Sequence, residues 1–166
     1  MNFSFNRAVA LFVISSTVMI AVTSCSKSNS SSSAGISATV NGTAWNNTYP
    51  VAGIYYTGGS EFDVAGAQFK GGDTTAFELI FYSPVTLNRA VSSDTSQITV
   101  GYIDARTGNV YSGAYGSGHA IVTVTSYDST GGKVGGTFSG VLWNTVNSND
   151  SLVIAGGKFN TTFQKQ

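Results

Sequence analysis

Glu61 and Asp63 stand two residues apart, a spacing that on a strand places both carboxyls on one face. Paired carboxylates can act as acid and base, or split a glycosidic bond. The same spacing also describes a solvated charged face, and that is the expectation here. His119 is the one imidazole, and it follows Gly113-Ala114-Tyr115-Gly116-Ser117-Gly118. To serve as a catalytic base it would need a nucleophile beside it and a carboxylate to orient it. No serine sits in a Gly-x-Ser-x-Gly elbow, so His119 is expected at the surface, where a strand begins. Asn147, Asn149 and Asp150 carry oxygens that could hold Ca²⁺, yet tight turns use the same residues and a calcium loop needs more ligands. No metal and no cofactor is expected. Among the aromatic residues most should pack in a sheet. Tyr111 and Tyr115 are expected in the Gly-rich loop around Ser112 to Gly118, where a large side chain has little core to enter. With His119 they form the candidate ligand-binding set, because loop positions carry function more often than core positions.

Composition narrows the chemistry further. The 166 residues hold 8 Lys+Arg against 8 Asp+Glu, and only 10% are charged. With no basic excess to neutralise phosphates, a nucleic-acid partner is excluded. One Cys excludes an internal disulfide framework and a Cys-rich zinc site.

That single cysteine has a telling position. Arg7 precedes an apolar run from Ala8 to Val22, the plan of a secretory signal peptide and too short to cross a bilayer comfortably. Val22-Thr23-Ser24-Cys25 then resembles a bacterial lipobox, which implies that Cys25 is acylated and becomes the first mature residue. The chain therefore divides into a signal peptide (1–24), a lipidated Cys with a Ser-rich tether (25–35) and one domain (36–166). Such a coil from Ser26 to Gly35 spans about 17 Å and would hold the domain just off the membrane. By the same resemblance Ser26, with no acidic residue after the Cys, places the protein in the outer membrane, facing the periplasm.

The elements that must position these residues read as strands. Apolar alternation is broken by turn chemistry at Asn41-Gly42, Gly58-Gly59, Gly71-Gly72-Asp73, Pro84, Arg106-Thr107-Gly108-Asn109, Ser129-Thr130-Gly131-Gly132 and Asn147-Ser148-Asn149-Asp150. No long segment carries the helical period. Ala120, Val122 and Val124 share one face with Thr123 and Thr125 on the other, and Glu78 opposes Phe77, Leu79 and Phe81. The expectation is an all-β domain, an antiparallel meander forming a single β-barrel or β-sandwich of about 8–10 strands.

Ile36 to Trp45, with Ser37-Ala38-Thr39-Val40-Asn41-Gly42 at its centre, resembles the opening strand of a Bacteroidota lipoprotein domain family of unknown function. Gly136-Thr137-Phe138-Ser139-Gly140 and the later Gly157-Lys158-Phe159 resemble its final hairpin, with Ala155-Gly156-Gly157 where members tend to read Thr-Asn-Gly. The resemblance implies an envelope β domain and no activity. The expected function is thus a non-enzymatic binding or structural domain. Its partners would be the membrane, through Cys25, and an envelope glycan, small ligand or protein. A small transmembrane β-barrel is the alternative, although Glu61, Asp63, Asp104 and Lys133 sit awkwardly on a lipid face. A glycan-acting hydrolase using Glu61 or Asp63 is a further one, supported by spacing alone.

Overall fold

Alternation and turn chemistry do produce a β protein. The computed structural model describes residues 34–55, 62–82, 86–128 and 132–165. The signal peptide, Cys25, the tether before Ala34, Glu61 and the turns expected at Gly58-Gly59, Pro84 and Ser129-Thr130-Gly131 lie outside the described residues. Eleven strands are described: β1 (Gly35–Val40), β2 (Thr43–Asn46), β3 (Ala52–Tyr55), β4 (Phe62–Lys70), β5 (Asp73–Phe81), β6 (Ala90–Ser92), β7 (Ile98–Asp104), β8 (Asn109–Ser112), β9 (His119–Asp128), β10 (Lys133–Asn144) and β11 (Ser151–Lys165). A 3-10 turn at Ser93–Thr95 joins β6 to β7.

Local chemistry sets the hairpins. Asn41 and Gly42 adopt φ of 46° and 80°, and Val40 pairs with Thr43 around them. Two successive left-handed residues are what a two-residue hairpin turn of matching twist requires. The β4–β5 hairpin closes the same way, with Lys70 opposite Asp73.

The strands form one sheet in the order β2-β1-β11-β3-β4-β5-β7-β8-β10-β9-β6, with β10 also paired to β11. Its pairings are antiparallel except that of β11 with β3. The all-β antiparallel expectation therefore holds. The sheet is open, however, ending on β2 and β6 rather than closing into a barrel, and it has more strands than the 8–10 expected. Strands consecutive in sequence pair in β1–β2, in β3-β4-β5 and β7-β8, and in β9-β10-β11, so the meander survives in pieces. β6 leaves it to pair with β9, and the long β11 bonds to β10, β1 and β3 in turn. Short strands such as β2, β6 and β8 add the extra count, because three or four residues show no alternation to read.

Inward residues of the coiled sheet make one apolar cluster, which includes Val64, Leu79, Val100, Val122, Val134 and Leu142. Phe77 lies at its centre with 0% exposure. Its ring meets Trp45 at 4.8 Å, Tyr102 at 5.0 Å and Phe138 at 5.3 Å, each nearly edge to face. Register shifts put an extra residue in β11, between Lys158 and Ala155 opposite β1 and between Gly157 and Ile154 opposite β10, and in β9, between Ser126 and Val124 opposite β10. Bulges bend the strand that carries them and strengthen its local twist.

Candidate functional site

Tyr111 is not a loop residue. It belongs to β8, is 7% exposed and packs its ring 6.3 Å from that of Tyr102. The Gly-rich segment begins only after it. Its hydroxyl donates to Asp150 Oδ2 at 2.7 Å, and Asn144 Nδ2 donates to the same oxygen at 3.0 Å. Asn144 Oδ1 in turn accepts from the backbone N–H groups of Val146 and Asn147. Asn147 Oδ1 accepts from the Asn149 N–H. The oxygens considered for calcium thus shape the turn between β10 and β11. Among the described residues no group of three or more His, Cys, Asp or Glu could hold a metal.

This network has a pH signature. The hydrogen bonds from Asn144, then Tyr111, hold the Asp150 carboxyl below the ordinary aspartate range, while burial and the neighbouring Asp150 push the Tyr111 phenol up. A depressed carboxylate pKa contributes stability above about pH 4, and that contribution is lost as pH falls through the folded value. Carbon-detected NMR titration should therefore find Asp150 titrating low. Tyr111→Phe should move it up towards the ordinary value, and Asn144→Ala should move it further. An unshifted Asp150 in the wild type would contradict the network.

His119 opens β9 and is exposed, as expected. Its Nδ1 lies 2.7 Å from Asp94 Oδ2 and 3.4 Å from Ser92 Oγ. Serine, histidine and aspartate are thus together, but both partners meet the same ring nitrogen. A triad needs the carboxylate on one nitrogen and the hydroxyl on the other. The bond to His119, helped by Ser92, holds the Asp94 carboxyl below its usual range. The arrangement ties the 3-10 turn to β9, next to a connection that sequence reasoning missed. Buried Ser93 donates its hydroxyl to the Gly113 carbonyl at 2.7 Å and accepts from the Ala120 N–H at 2.9 Å. Tyr115 remains in the β8–β9 connection and is half-buried, its carbonyl accepting from the Gly118 N–H. Tyr111, Tyr115 and His119 therefore do not converge on one cavity: Tyr111 turns to the β10–β11 connection and His119 to the 3-10 turn.

The carboxylates also differ from expectation. Asp63 is 6% exposed, so it is not part of a solvated face, and Glu78 is 5% exposed. Asp63 pairs with Ile80 and Ala65 with Glu78, which makes the two acids diagonal neighbours about 7 Å apart, on the side opposite Phe77. Both have interaction partners. Alternation identified the face of Glu78 but gave no sign that this face is buried.

The cavity lies elsewhere. A groove of about 1160 Å³ crosses β9, β10, β11, β1 and β2 where their outward face is hollowed. Cross-strand register builds its floor in two rows. One runs Ser126, Gly135, Asn160, Gly35, and the next runs Thr137, Lys158, Ser37, Asn46. Lys133 stands at the start of β10 with Asp128 opposite it on β9, and half-exposed Leu87 closes the β9 side, while Tyr127 borders the groove but turns its ring towards Phe62 in the core. The Leu87 wall is fixed by the Asn88 N–H, which donates to the Val124 carbonyl at 2.8 Å. The opposite wall is fixed by Asn47, whose Oδ1 accepts from the Ile36 N–H and whose Nδ2 donates to the Tyr49 carbonyl. Ala34, where the chain enters the domain, lines the same groove. None of its side chains is among the candidate site residues read from the sequence. Compared with models of known protein families, with curated proteins and with solved structures, the chain matches none.

Proposed function

We propose that this chain is a lipid-anchored domain of the cell envelope that holds a ligand in its groove without transforming it. One observation carries the binding role: a groove of about 1160 Å³ with fixed walls, lined by apolar surface and by hydroxyl, amide, ammonium and carboxylate groups. The anchor rests on the lipobox-like Val22-Thr23-Ser24-Cys25, and several acyl chains on one residue give a stable hold where a single chain does not. The groove includes Ala34, so the ligand would be held on the side where the tether arrives. The outer membrane, facing the periplasm, is the location this reading assigns. The resemblance of the first strand and last hairpin to Bacteroidota lipoprotein domains agrees with it.

Binding is favoured over catalysis because the one imidazole has its Nδ1 on Asp94 and the two buried acids lie outside the groove. A transmembrane barrel is disfavoured by the sheet ends at β2 and β6, since open edges are costly in lipid. Outward-facing Lys133 and Lys158 argue the same way.

The anchor is tested by fractionating cells that make the protein or its Cys25→Ser variant. The wild type should sediment with membranes and need detergent for release, whereas the variant should be recovered in the soluble fraction. A Cys25→Ser protein that stays with the membrane would remove the anchor from the account.

A further inference from the structure

We propose, building on the binding role just assigned, that the groove takes an extended acidic polysaccharide. Its lysines supply the first argument. Among the described residues the ion pairs are Arg106 with Asp73 and His119 with Asp94, and neither Lys133 nor Lys158 takes part. Both are exposed and both line the groove. With Asp128, which stands opposite Lys133, they are the charged side chains of the lining, and two ammonium groups against one carboxylate leave an excess of positive charge that favours an anion.

Spacing supplies the second. Lys158 stands opposite Thr137, so the two lysines are offset by the length of β10 from Lys133 to Thr137, about 13 Å at 3.3 Å per residue. The groove crosses five strands, which at about 4.8 Å each gives a path of roughly 20 Å. A lone phosphate fits one lysine, while a chain bearing repeated carboxylates meets both. Between the lysines the floor is formed by Gly135 and its flat row, which leaves room for rings lying across the strands.

The remaining lining decides the class. Ser37, Asn46, Ser126 and Thr137 present hydroxyl and amide groups at the height of the floor, suited to sugar hydroxyls. An added peptide strand has no place on this floor, because β11 is bonded to β10 on one edge and to β1 on the other. Zero net charge disfavours nucleic acid.

The test uses the full chain in mild detergent, titrated by calorimetry and followed by the amide NMR signals of Tyr127 and Thr137. The probes are hexagalacturonate, maltohexaose as a neutral sugar, and inorganic phosphate. Hexagalacturonate should bind and move both signals, with affinity falling as salt rises. Each of Lys133→Gln and Lys158→Gln should weaken it roughly tenfold, and the arginine variants should restore it. Circular dichroism of each variant separates lost binding from lost fold.

Phosphate that binds as tightly as hexagalacturonate and competes with it would overturn the proposal in favour of a point anion site. Maltohexaose binding that ignores both lysine variants would overturn the acidic class while leaving the groove a binding site. If neither sugar moves the groove signals, the proposal falls and the binding role with it. Failure of the Cys25→Ser test would touch only the anchor.

Discussion

Phe77→Ala should lower the unfolding free energy by about 3–5 kcal/mol, close to the upper range for truncating one core side chain. The ring has 0% exposure, so its transfer out of water is complete. It also meets Trp45, Tyr102 and Phe138, which come from β2, β7 and β10, so the cavity opens between strands far apart in sequence. Edge-to-face contacts add about 0.5–1.5 kcal/mol per pair beyond area burial. Trp45 is further fixed by its indole N–H, which donates to Thr75 Oγ1 at 2.8 Å, so it cannot easily move to fill the space. Domains of this kind have about 5–15 kcal/mol in total, so a large part of the stability should go. Urea unfolding of the two proteins checks this, and a change under about 1 kcal/mol with an unaltered m-value would show that the aromatic cluster is not the centre of the core.

Gly140→Val should cost more, enough to prevent stable folding. A Cβ at Gly140 would run into the His119 carbonyl oxygen and, at 2.6 Å, the Ala120 Cα. Both are backbone atoms of β9, so no side-chain rotation relieves the contact. The residue also has φ of 153° and adjoins the register shift that follows Phe138. Separating β9 from β10 there would disturb the pairing of Gly140 with Ala120 and with Ile154 at once. A loss above about 4 kcal/mol is the expectation for such overpacking against backbone. Ser139→Val is the control: Ser139 points outward and is exposed, and the change should stay within about 0.5 kcal/mol. Soluble yield and thermal unfolding of the pair provide the comparison. Equal stability of the two variants would contradict the close approach.

Much of the fold was legible because it is local. Asn41-Gly42 and Gly71-Gly72 state their turns in dipeptides, and Phe77, Leu79 and Phe81 declare an inward face by alternation. Partners are another matter. Alternation says which way a side chain points and leaves open which strand lies alongside. The parallel contact of β11 with β3 and the move of β6 to β9 are long-range choices that no neighbouring residue announces. β8 is four residues between two turns, too short to show a period, so Tyr111 looked like part of a loop when it is core. The spacing of Asp63 from Glu61 describes a solvated face, because polar residues on a sheet usually face water, yet Asp63 and its diagonal neighbour Glu78 are buried. The groove was invisible for the same reason as the pairing: its floor is assembled from β1, β2, β9, β10 and β11, joined only by register. The alternating Thr123 and Thr125 hinted at a polar outer face but not at its hollow.

The account turns on a self-sufficient β domain held to a membrane by one acylated residue. Intact mass of the protein extracted from membranes, taken with the behaviour of a form that begins at Gly35, tests both halves. The account predicts a mature mass that starts at Cys25 and carries acyl chains, and a Gly35 form that is monodisperse and β-rich without detergent. An unacylated mass with the first 24 residues still present would contradict the anchor. A Gly35 form that folds only in detergent would contradict the domain, and the outward strand faces would then have to face lipid.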